Sequence, residues 1–94
     1  MSALEDIAAE RQRQIDSEGW TADHDDEHTD DELSEAAACY ALSGVCNARW
    51  LIEKIWPWDL KWWKPKDRRR DLVRAGALIV AEIERLDRLK ENKT

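Results

Sequence analysis

The sequence predicts an all-α protein, and three features support this fold class. Apolar residues recur at helical spacing, no segment alternates polar and apolar residues, and no hairpin turn motif is present. Glycine or proline stands where the periodic segments stop, at Gly19, Gly44 and Pro57. We therefore expect a small antiparallel helical bundle with a long C-terminal helix and a Trp-rich loop, formed as a single domain over residues 1–94.

The N-terminal third predicts one helix and a connector. Residues 3–17 have the spacing of a helix that ends at Gly19 and carries its apolar side chains on one face: Leu4, Ile7, Ala8 and Ile15. Arg11 and Gln14 fall near that same face. Residues 20–28 predict a connector, in part helical, in which Thr21 can cap a short turn.

Two further helices are expected in the middle of the chain. Thr29 and Glu32 have the spacing of a capping box and would open a helix that stops at Gly44. Residues 45–55 predict a short helix that Pro57 stops. Five of the six tryptophans lie between Trp50 and Trp63, and we expect those of the following loop to fold back over the core.

The longest predicted helix runs from about Asp67 to Leu89. Its apolar residues form a stripe close to a heptad repeat: Leu72, Ala75, Ile79, Ile83, Leu86 and Leu89. Glu84 and Arg88 have the i,i+4 spacing of an ion pair on another face. A chain of this size has little core to spare, so we expect a second copy against the stripe, in a homodimer or a higher homo-oligomer.

Composition excludes disorder and a membrane span. Hydrophobic residues make up 43% of the chain and charged residues 38%, and the longest apolar runs are only seven residues, at 36–42 and 75–81. Residues 1–10 carry three acids and no Lys or Arg, unlike a secretory signal. With Cys39 and Cys46 as the only cysteines, reduced thiols are expected. We therefore expect a cytoplasmic protein without a membrane partner.

Charge is divided along the chain. Residues 1–35 hold 13 acids and 2 bases, whereas residues 36–94 hold 8 acids and 13 bases. Many of the bases lie with two tryptophans in what we call the basic-aromatic patch: Lys61, Trp62, Trp63, Lys64, Lys66, Arg68, Arg69, Arg70 and Arg74. The sequence pI of about 4.9 argues against a partner of duplex DNA, whose phosphates would repel the acidic part.

The basic-aromatic patch has two interpretations of equal weight. In the first, it docks on the acidic N-terminal part of the same subunit or of a partner. In the second, it binds a nucleotide or a single strand, with Trp62 and Trp63 stacking on a base. The phosphates would then contact the neighbouring cations: Lys64, Lys66, Arg68, Arg69 and Arg70.

Asp31, Glu32 and Glu35 are the candidate metal ligands. On a helix these three carboxylates project from one side, and hard oxygen ligands suit Mg²⁺ or Mn²⁺. Such an ion can bridge nucleotide phosphates and activate a water molecule. The alternative, which spacing alone favours, is an acidic first turn stabilised by the helix dipole.

His24 and His28 would meet on one face if their segment were helical. Their spacing resembles the zinc peptidase motif only superficially, since Asp25 replaces the expected Glu and no third ligand is obvious. We expect the two imidazoles to pair with neighbouring carboxylates or to contribute to the acidic site.

The chain resembles a family of small proteins encoded by bacteriophages and prophages. The resemblance spans the segments AAERQRQIDSEGW, HDDEHTDDELSEAAACYA and WPWDLKWWKPKDRRRDLVRAGALIVAEIERLDR, of which the WPW...WWKP...RRDLV part is the most specific. That family carries no firm activity. The resemblance implies that the protein acts in the cytoplasm of a bacterial host.

The order of motifs is also distantly similar to the MazG-like all-α nucleoside triphosphate pyrophosphohydrolases, in which an EExxE motif and a later ExxD motif hold Mg²⁺. This similarity implies that Asp31, Glu32 and Glu35 match the first motif and that Asp71 matches the first acid of the second. Arg74 stands in place of the second acid of that later motif. The incomplete motif leaves hydrolysis open and favours nucleotide binding over turnover.

Two functional hypotheses follow. The first is a MazG-like, Mg²⁺-dependent site that binds, hydrolyses or sequesters a nucleotide or a cyclic nucleotide signal of host defence. The second is an acidic helical protein that binds and inhibits a host protein complex, because Asp16 to Glu35 holds 10 acids and no base and can imitate nucleic-acid phosphates. A structural oligomer without a ligand is the third possibility.

Overall fold

The computed structural model describes residues 2–91, and this part of the chain contains helices and no strand, which confirms the all-α fold class. The helices are α1 (Ala3–Glu18), α2 (Ala22–Asp26), α3 (Glu32–Leu42), α4 (Arg49–Ile55) and α5 (Arg68–Glu91), with a 3₁₀ turn over Leu60–Trp62. None of the helices within residues 2–91 has the length and the hydrophobicity to cross a bilayer. The antiparallel arrangement and the oligomeric state stay predictions.

The ends of α1 and α2 follow local chemistry. Ser2 and Glu5 form a capping box, since each side chain accepts a hydrogen bond from the other residue's backbone N–H. Gly19 ends α1 in the left-handed conformation with a φ of 72°. The Thr21 hydroxyl accepts the backbone N–H of His24 and caps α2. The predicted first helix, its stop and the partly helical connector are confirmed.

The predicted capping box at the start of α3 is wrong. The helix begins at Glu32, and the residue before it, Asp31, has a φ of 69° and makes no capping hydrogen bond through its side chain. The Glu32 carboxylate instead accepts the backbone N–H of Asp30 at 2.8 Å and lies 2.9 Å from Nδ1 of His28. His28 and Asp30, which precede the helix, therefore bind the Glu32 carboxylate that the predicted capping box with Thr29 required.

The core lies mainly between α3 and α5. Small residues on both helices permit close packing: Ala36, Ala37, Ala75 and Ala81 are at most 3% exposed. Trp56 is 8% exposed and its ring meets Tyr40 edge-on, while Trp58 and Trp63 pack against the same cluster. This confirms the prediction that the loop folds back over the core for Trp56, Trp58 and Trp63, whereas Trp62 is 57% exposed.

The predicted stripe of α5 does not form the core of this chain, except at Ala75. Five of its six members are between 43% and 51% exposed: Leu72, Ile79, Ile83, Leu86 and Leu89. The buried face is instead Asp71, Val73, Ala75, Ala77, Leu78, Ala81, Glu82 and Arg85. Ala75 and Ala81 of this face lie in the same core as the alanines of α3. The leucines and isoleucines of the stripe therefore lie outside the chain's own core.

The expected ion pair between Glu84 and Arg88 is also wrong. Glu84 accepts from Arg11 of α1 at 3.1 Å, and Arg88 pairs with Asp26 of α2 at 2.7 Å. The guanidinium of Arg11 and the carboxylate of Asp26 reach α5 from neighbouring helices, so both residues have partners outside α5.

Candidate functional site

The buried face of α1 is polar, which corrects the apolar face predicted for this helix. Glu10, Arg11 and Gln14 are 2%, 7% and 2% exposed, whereas the expected contact residue Leu4 is 80% exposed. Burying polar groups costs free energy unless each is hydrogen-bonded. Because three polar residues are buried on one helix of a small protein, this face of α1 is a candidate functional site.

Arginines surround the carboxylate of Glu10. Arg13 donates two hydrogen bonds of 2.8 Å to it, and Arg70 from α5 donates another. Burial opposes ionisation of this carboxyl, but the hydrogen bond and charge of Arg13, with the charges of Arg70 and Arg74, hold the pKa of Glu10 below its usual value. Glu10 is therefore ionised at neutral pH.

The lowered pKa of Glu10 predicts an acid-dependent loss of stability. Because the folded-state pKa lies below the ordinary value of 4.5, the stabilisation is fully present above that pH and is lost as the pH falls through the folded-state pKa. We expect Glu10→Gln to be less stable than wild type at neutral pH and the difference to shrink below pH 4.5. Urea unfolding at several pH values measures this; a difference independent of pH would contradict it.

A cleft of about 690 Å³ lies against this polar face. Five parts of the chain line it: one face of α1, the segment around α2, one residue of α3, the Trp-rich loop and two residues of α5. The lining residues are Glu10, Arg13, Gln14, Glu18, Trp20, His24, His28, Tyr40, Trp56, Trp58, Asp59, Trp62, Lys64, Arg74 and Leu78. Its volume is in the range of sites that bind small organic ligands.

Four aromatic rings form a closed ring of contacts in the cleft wall. Trp20 stacks on His24 with 5.9 Å between centroids, and His24 meets His28 at 4.8 Å. His28 meets Trp58 at 5.4 Å, and Trp58 returns to Trp20 at 6.3 Å. The two imidazoles do meet, as their spacing predicted, and each also lies beside a carboxylate, Asp25 or Glu32.

Cations lie at the Trp-rich side of the cleft. The ammonium groups of Lys61 and Lys64 lie 5.4 and 5.7 Å from the centroid of Trp62, whose side chain is exposed. The guanidinium of Arg74 lies 5.6 Å from the Tyr40 ring, and its Nη1 donates to the Lys64 carbonyl at 2.7 Å. The cleft thus offers both aromatic faces and positive charge.

Three buried side-chain atoms within residues 2–91 lack a hydrogen-bond partner: Gln14 Oε1, His28 Nε2 and Arg74 Nε. All three belong to residues that line the cleft. Buried polar atoms without partners are rare in native proteins, because each costs the free energy of its lost hydration. The cleft is thus lined by residues that carry both donors and acceptors without a partner in the described part of the chain.

The basic-aromatic patch is divided between the cleft and the rest of the protein. Trp62, Lys64 and Arg74 line the cleft, as do the accessory candidates His24 and His28. Trp63 lies outside this lining and packs on Tyr40 and Trp56, with centroids 4.8 and 5.0 Å apart.

The arginines of the patch have protein partners. Arg68 donates to the carbonyls of Ala41 and Ser43, Arg69 pairs with Asp6 at 2.6 Å, and Arg70 pairs with Glu10. Basic and acidic parts of the chain therefore meet within one subunit. Lys66 is exposed outside the cleft lining, and phosphate binding by it and by these arginines stays a prediction.

The four predicted metal ligands lie outside the cleft lining. Asp71 is 1% exposed and its Oδ1 accepts the backbone N–H of Lys66 at 2.7 Å, which caps the start of α5. Asp31 precedes α3, and Glu32 and Glu35 lie in its first turn. Within residues 2–91 no three His, Cys, Asp or Glu side chains are grouped to hold a metal ion. A site for Mg²⁺ or Mn²⁺ stays a prediction.

Sequence reasoning missed the α1 side of the cleft. Glu10, Arg13 and Gln14 recur at helical spacing, so they form a polar stripe that could have been recognised. Trp20 and Trp58 had no comparable signal, because nothing in the sequence indicates that residues 38 positions apart contact each other.

Comparison of the chain with protein-family models, with curated proteins and with solved structures gives no match in any of the three. The resemblance to phage-encoded proteins and to the MazG-like enzymes stays a prediction. A functional proposal therefore depends on the geometry of the cleft.

Proposed function

We propose that this protein binds a nucleotide in the aromatic cleft, with the base against the tryptophan and imidazole rings. The observation that carries the proposal is that one cleft holds these rings, the cations Lys64 and Arg74, and the residues of all three unpartnered buried atoms of residues 2–91. The distant similarity to nucleotide-directed enzymes favours the same class of ligand.

The aromatic wall supports binding of a base. Every nucleobase has a π-face, and stacking on an aromatic side chain contributes about 1–3 kcal/mol per base. Trp62 is 57% exposed at the cleft, so one of its faces is free to accept such a ring. The lysines beside Trp62 lie within reach of phosphates attached to a stacked nucleoside.

The charge distribution supports binding of phosphate. Glu10 is the most buried acid of the cleft, and its charge is compensated by Arg13 and Arg70. Lys64 and Arg74 also line the cleft, and Nε of Arg74 has no hydrogen-bond partner within residues 2–91. These two residues are the groups that we assign to the phosphates.

A thermal-shift screen tests this function. The protein is melted with nucleoside triphosphates and with cyclic dinucleotides, with and without Mg²⁺, and phosphate release is read in the same wells. A ligand that binds only the folded state adds about 2.7 kcal/mol at a free concentration roughly 100 times Kd. Release of phosphate would show that the protein also hydrolyses the nucleotide that it binds. No shift with any nucleotide would contradict the proposal and favour the alternative, an acidic inhibitor of a host complex.

We also propose that the protein self-associates through α5. The exposed side chains Leu72, Ile79 and Leu86 are spaced by seven residues, and Ile83 lies between the last two. A stripe of this period packs best against another helix with the same period, and a second copy of α5 supplies one. Covering these side chains removes an apolar surface that a small protein rarely leaves in water.

Substitution at the centre of this stripe tests self-association. We expect the wild-type protein to sediment above its monomer mass of 11.0 kDa and Ile83→Lys to shift the equilibrium to monomer, because a two-fold interface would bury the charge twice. Leu60→Lys is the control, since Leu60 is similarly exposed at 57% but lies outside α5. A monomeric wild type, or equal effects of both substitutions, would refute the α5 interface.

A further inference from the structure

The unpartnered polar atoms of the cleft include hydrogen-bond acceptors, and these acceptors restrict which nucleobases can bind. Gln14 is 2% exposed and lines the cleft. Its Nε2 donates to Glu10 at 3.3 Å, so its Oε1 is the atom left without a partner. A carbonyl oxygen only accepts hydrogen bonds, and Gln14 therefore requires a donor from the ligand.

The neighbouring residues hold the amide of Gln14 in this orientation. Glu10 is ionised, because Arg13 and Arg70 bind its carboxylate, and an ionised carboxylate accepts hydrogen bonds and cannot donate them. Rotating the Gln14 amide by half a turn would place its oxygen against that carboxylate. Arg13 and Arg70 thus keep Glu10 ionised, and the ionised Glu10 holds the Gln14 amide so that Oε1 remains an acceptor without a partner.

His28 presents a second acceptor to the same cleft. Its Nδ1 lies 2.9 Å from Oε2 of Glu32, and because a carboxylate accepts, Nδ1 carries the hydrogen. In the neutral imidazole the other nitrogen, Nε2, then has a lone pair, and this atom is buried without a partner. Two acceptors without donors of their own therefore line one cleft.

We infer that the cleft selects nucleobases that carry an exocyclic amino group, namely adenine, guanine or cytosine, over their counterparts with a carbonyl group. This inference rests on the proposed nucleotide function. An amino group donates hydrogen bonds through its two N–H bonds, and Gln14 Oε1 and His28 Nε2 both require a donor. A carbonyl oxygen in its place can donate to neither acceptor.

Paired nucleotides test this selection by calorimetric titration. ATP is compared with ITP, GTP with XTP, and CTP with UTP. The tightest ligand of wild type is expected to carry the amino group and to bind about tenfold or more tightly than its counterpart, because a buried acceptor left unpaired is costly. Gln14→Met, which keeps the side-chain length without the acceptor, should reduce this ratio to below about threefold and retain the weaker ligand's affinity.

His28→Phe is the second variant, because it keeps an aromatic ring and removes the other acceptor. It should also reduce the ratio, so the test survives if Gln14→Met does not fold. Tightest binding of ITP, XTP or UTP, equal binding within each pair, or an unchanged ratio in a folded variant would overturn the selection and leave nucleotide binding standing. If no triphosphate binds wild type, the proposed function itself fails.

Discussion

Replacing Asp25 by asparagine is expected to lower the free energy of unfolding by about 3 kcal/mol, because it breaks a buried ion pair. Asp25 is fully buried and its Oδ2 lies 2.7 Å from Arg11, whose side chain is 9% exposed. The remaining partners of Arg11 are the half-exposed carboxylate of Glu84 and the Trp20 carbonyl. The variant would therefore retain a buried guanidinium without its nearest counter-charge.

Asp26→Asn is the matched control for this substitution. Asp26 is the next residue and also pairs with an arginine, Arg88, but the two side chains are 42% and 28% exposed. Exposed ion pairs contribute less than about 1 kcal/mol. We expect the free energies of unfolding of the two variants, measured with guanidinium chloride, to differ by about 2 kcal/mol. Equal losses would show that Asp25 and Arg11 do not form the buried pair described above.

The effect of Asp25→Asn should extend to the cleft. Asp25 lies in α2, and its Oδ1 is 3.3 Å from Nδ1 of His24, which stacks on Trp20. The ion pair with Arg11 holds this segment against α1. Loosening α2 therefore moves one wall of the proposed binding site.

Trp62→Ala is expected to weaken nucleotide binding about ten- to a hundredfold, the effect of losing one stacking partner. The side chain is 57% exposed, so its removal should cost little folding free energy. Titration of the variant by calorimetry measures the change in Kd, and a thermal melt without ligand confirms that the fold is retained.

Trp50→Ala is the control for the stacking prediction. Trp50 is also exposed, at 64%, but lies in α4 outside the cleft lining. Removing it should leave Kd within about twofold of wild type, because it makes no contact with the proposed ligand. If both substitutions weaken binding equally, the nucleotide does not occupy the cleft beside Trp62.

The helices could be predicted from the sequence because their signals are local. The end of α1 depends on Gly19, the cap of α2 on Thr21, and the end of α4 on Pro57, all within a few residues of the structure they determine. Two helix starts were exceptions: His28 and Asp30 bind the Glu32 carboxylate at the start of α3, and α4 begins at Arg49 and not at Val45.

The buried faces could not be predicted, because distant partners select them. The stripe of leucine and isoleucine on α5 has the stronger periodicity, yet α3 offers alanines, and α5 turns its own alanines toward them. On α1, the charge of the buried Glu10 is compensated by Arg13 and also by Arg70, which lies 60 positions away. Such long-range pairing leaves no periodic signal in one sequence.

The candidate site was accordingly predicted in part. His24, His28, Trp62, Lys64 and Arg74 were recognised from composition and spacing, and all five line the cleft. The α1 wall was missed because charged residues on a helix ordinarily face water.

The most direct test of nucleotide binding in the cleft is an NMR titration of ¹⁵N-labelled protein with ATP, observed at the indole N–H signals of the six tryptophans. Trp20, Trp56, Trp58 and Trp62 line the cleft, whereas Trp50 and Trp63 do not. We expect the first four signals to shift with one common Kd and the signal of Trp50 to stay in place. Unchanged cleft signals at millimolar ATP, or a shift confined to Trp50 and Trp63, would contradict the proposed site.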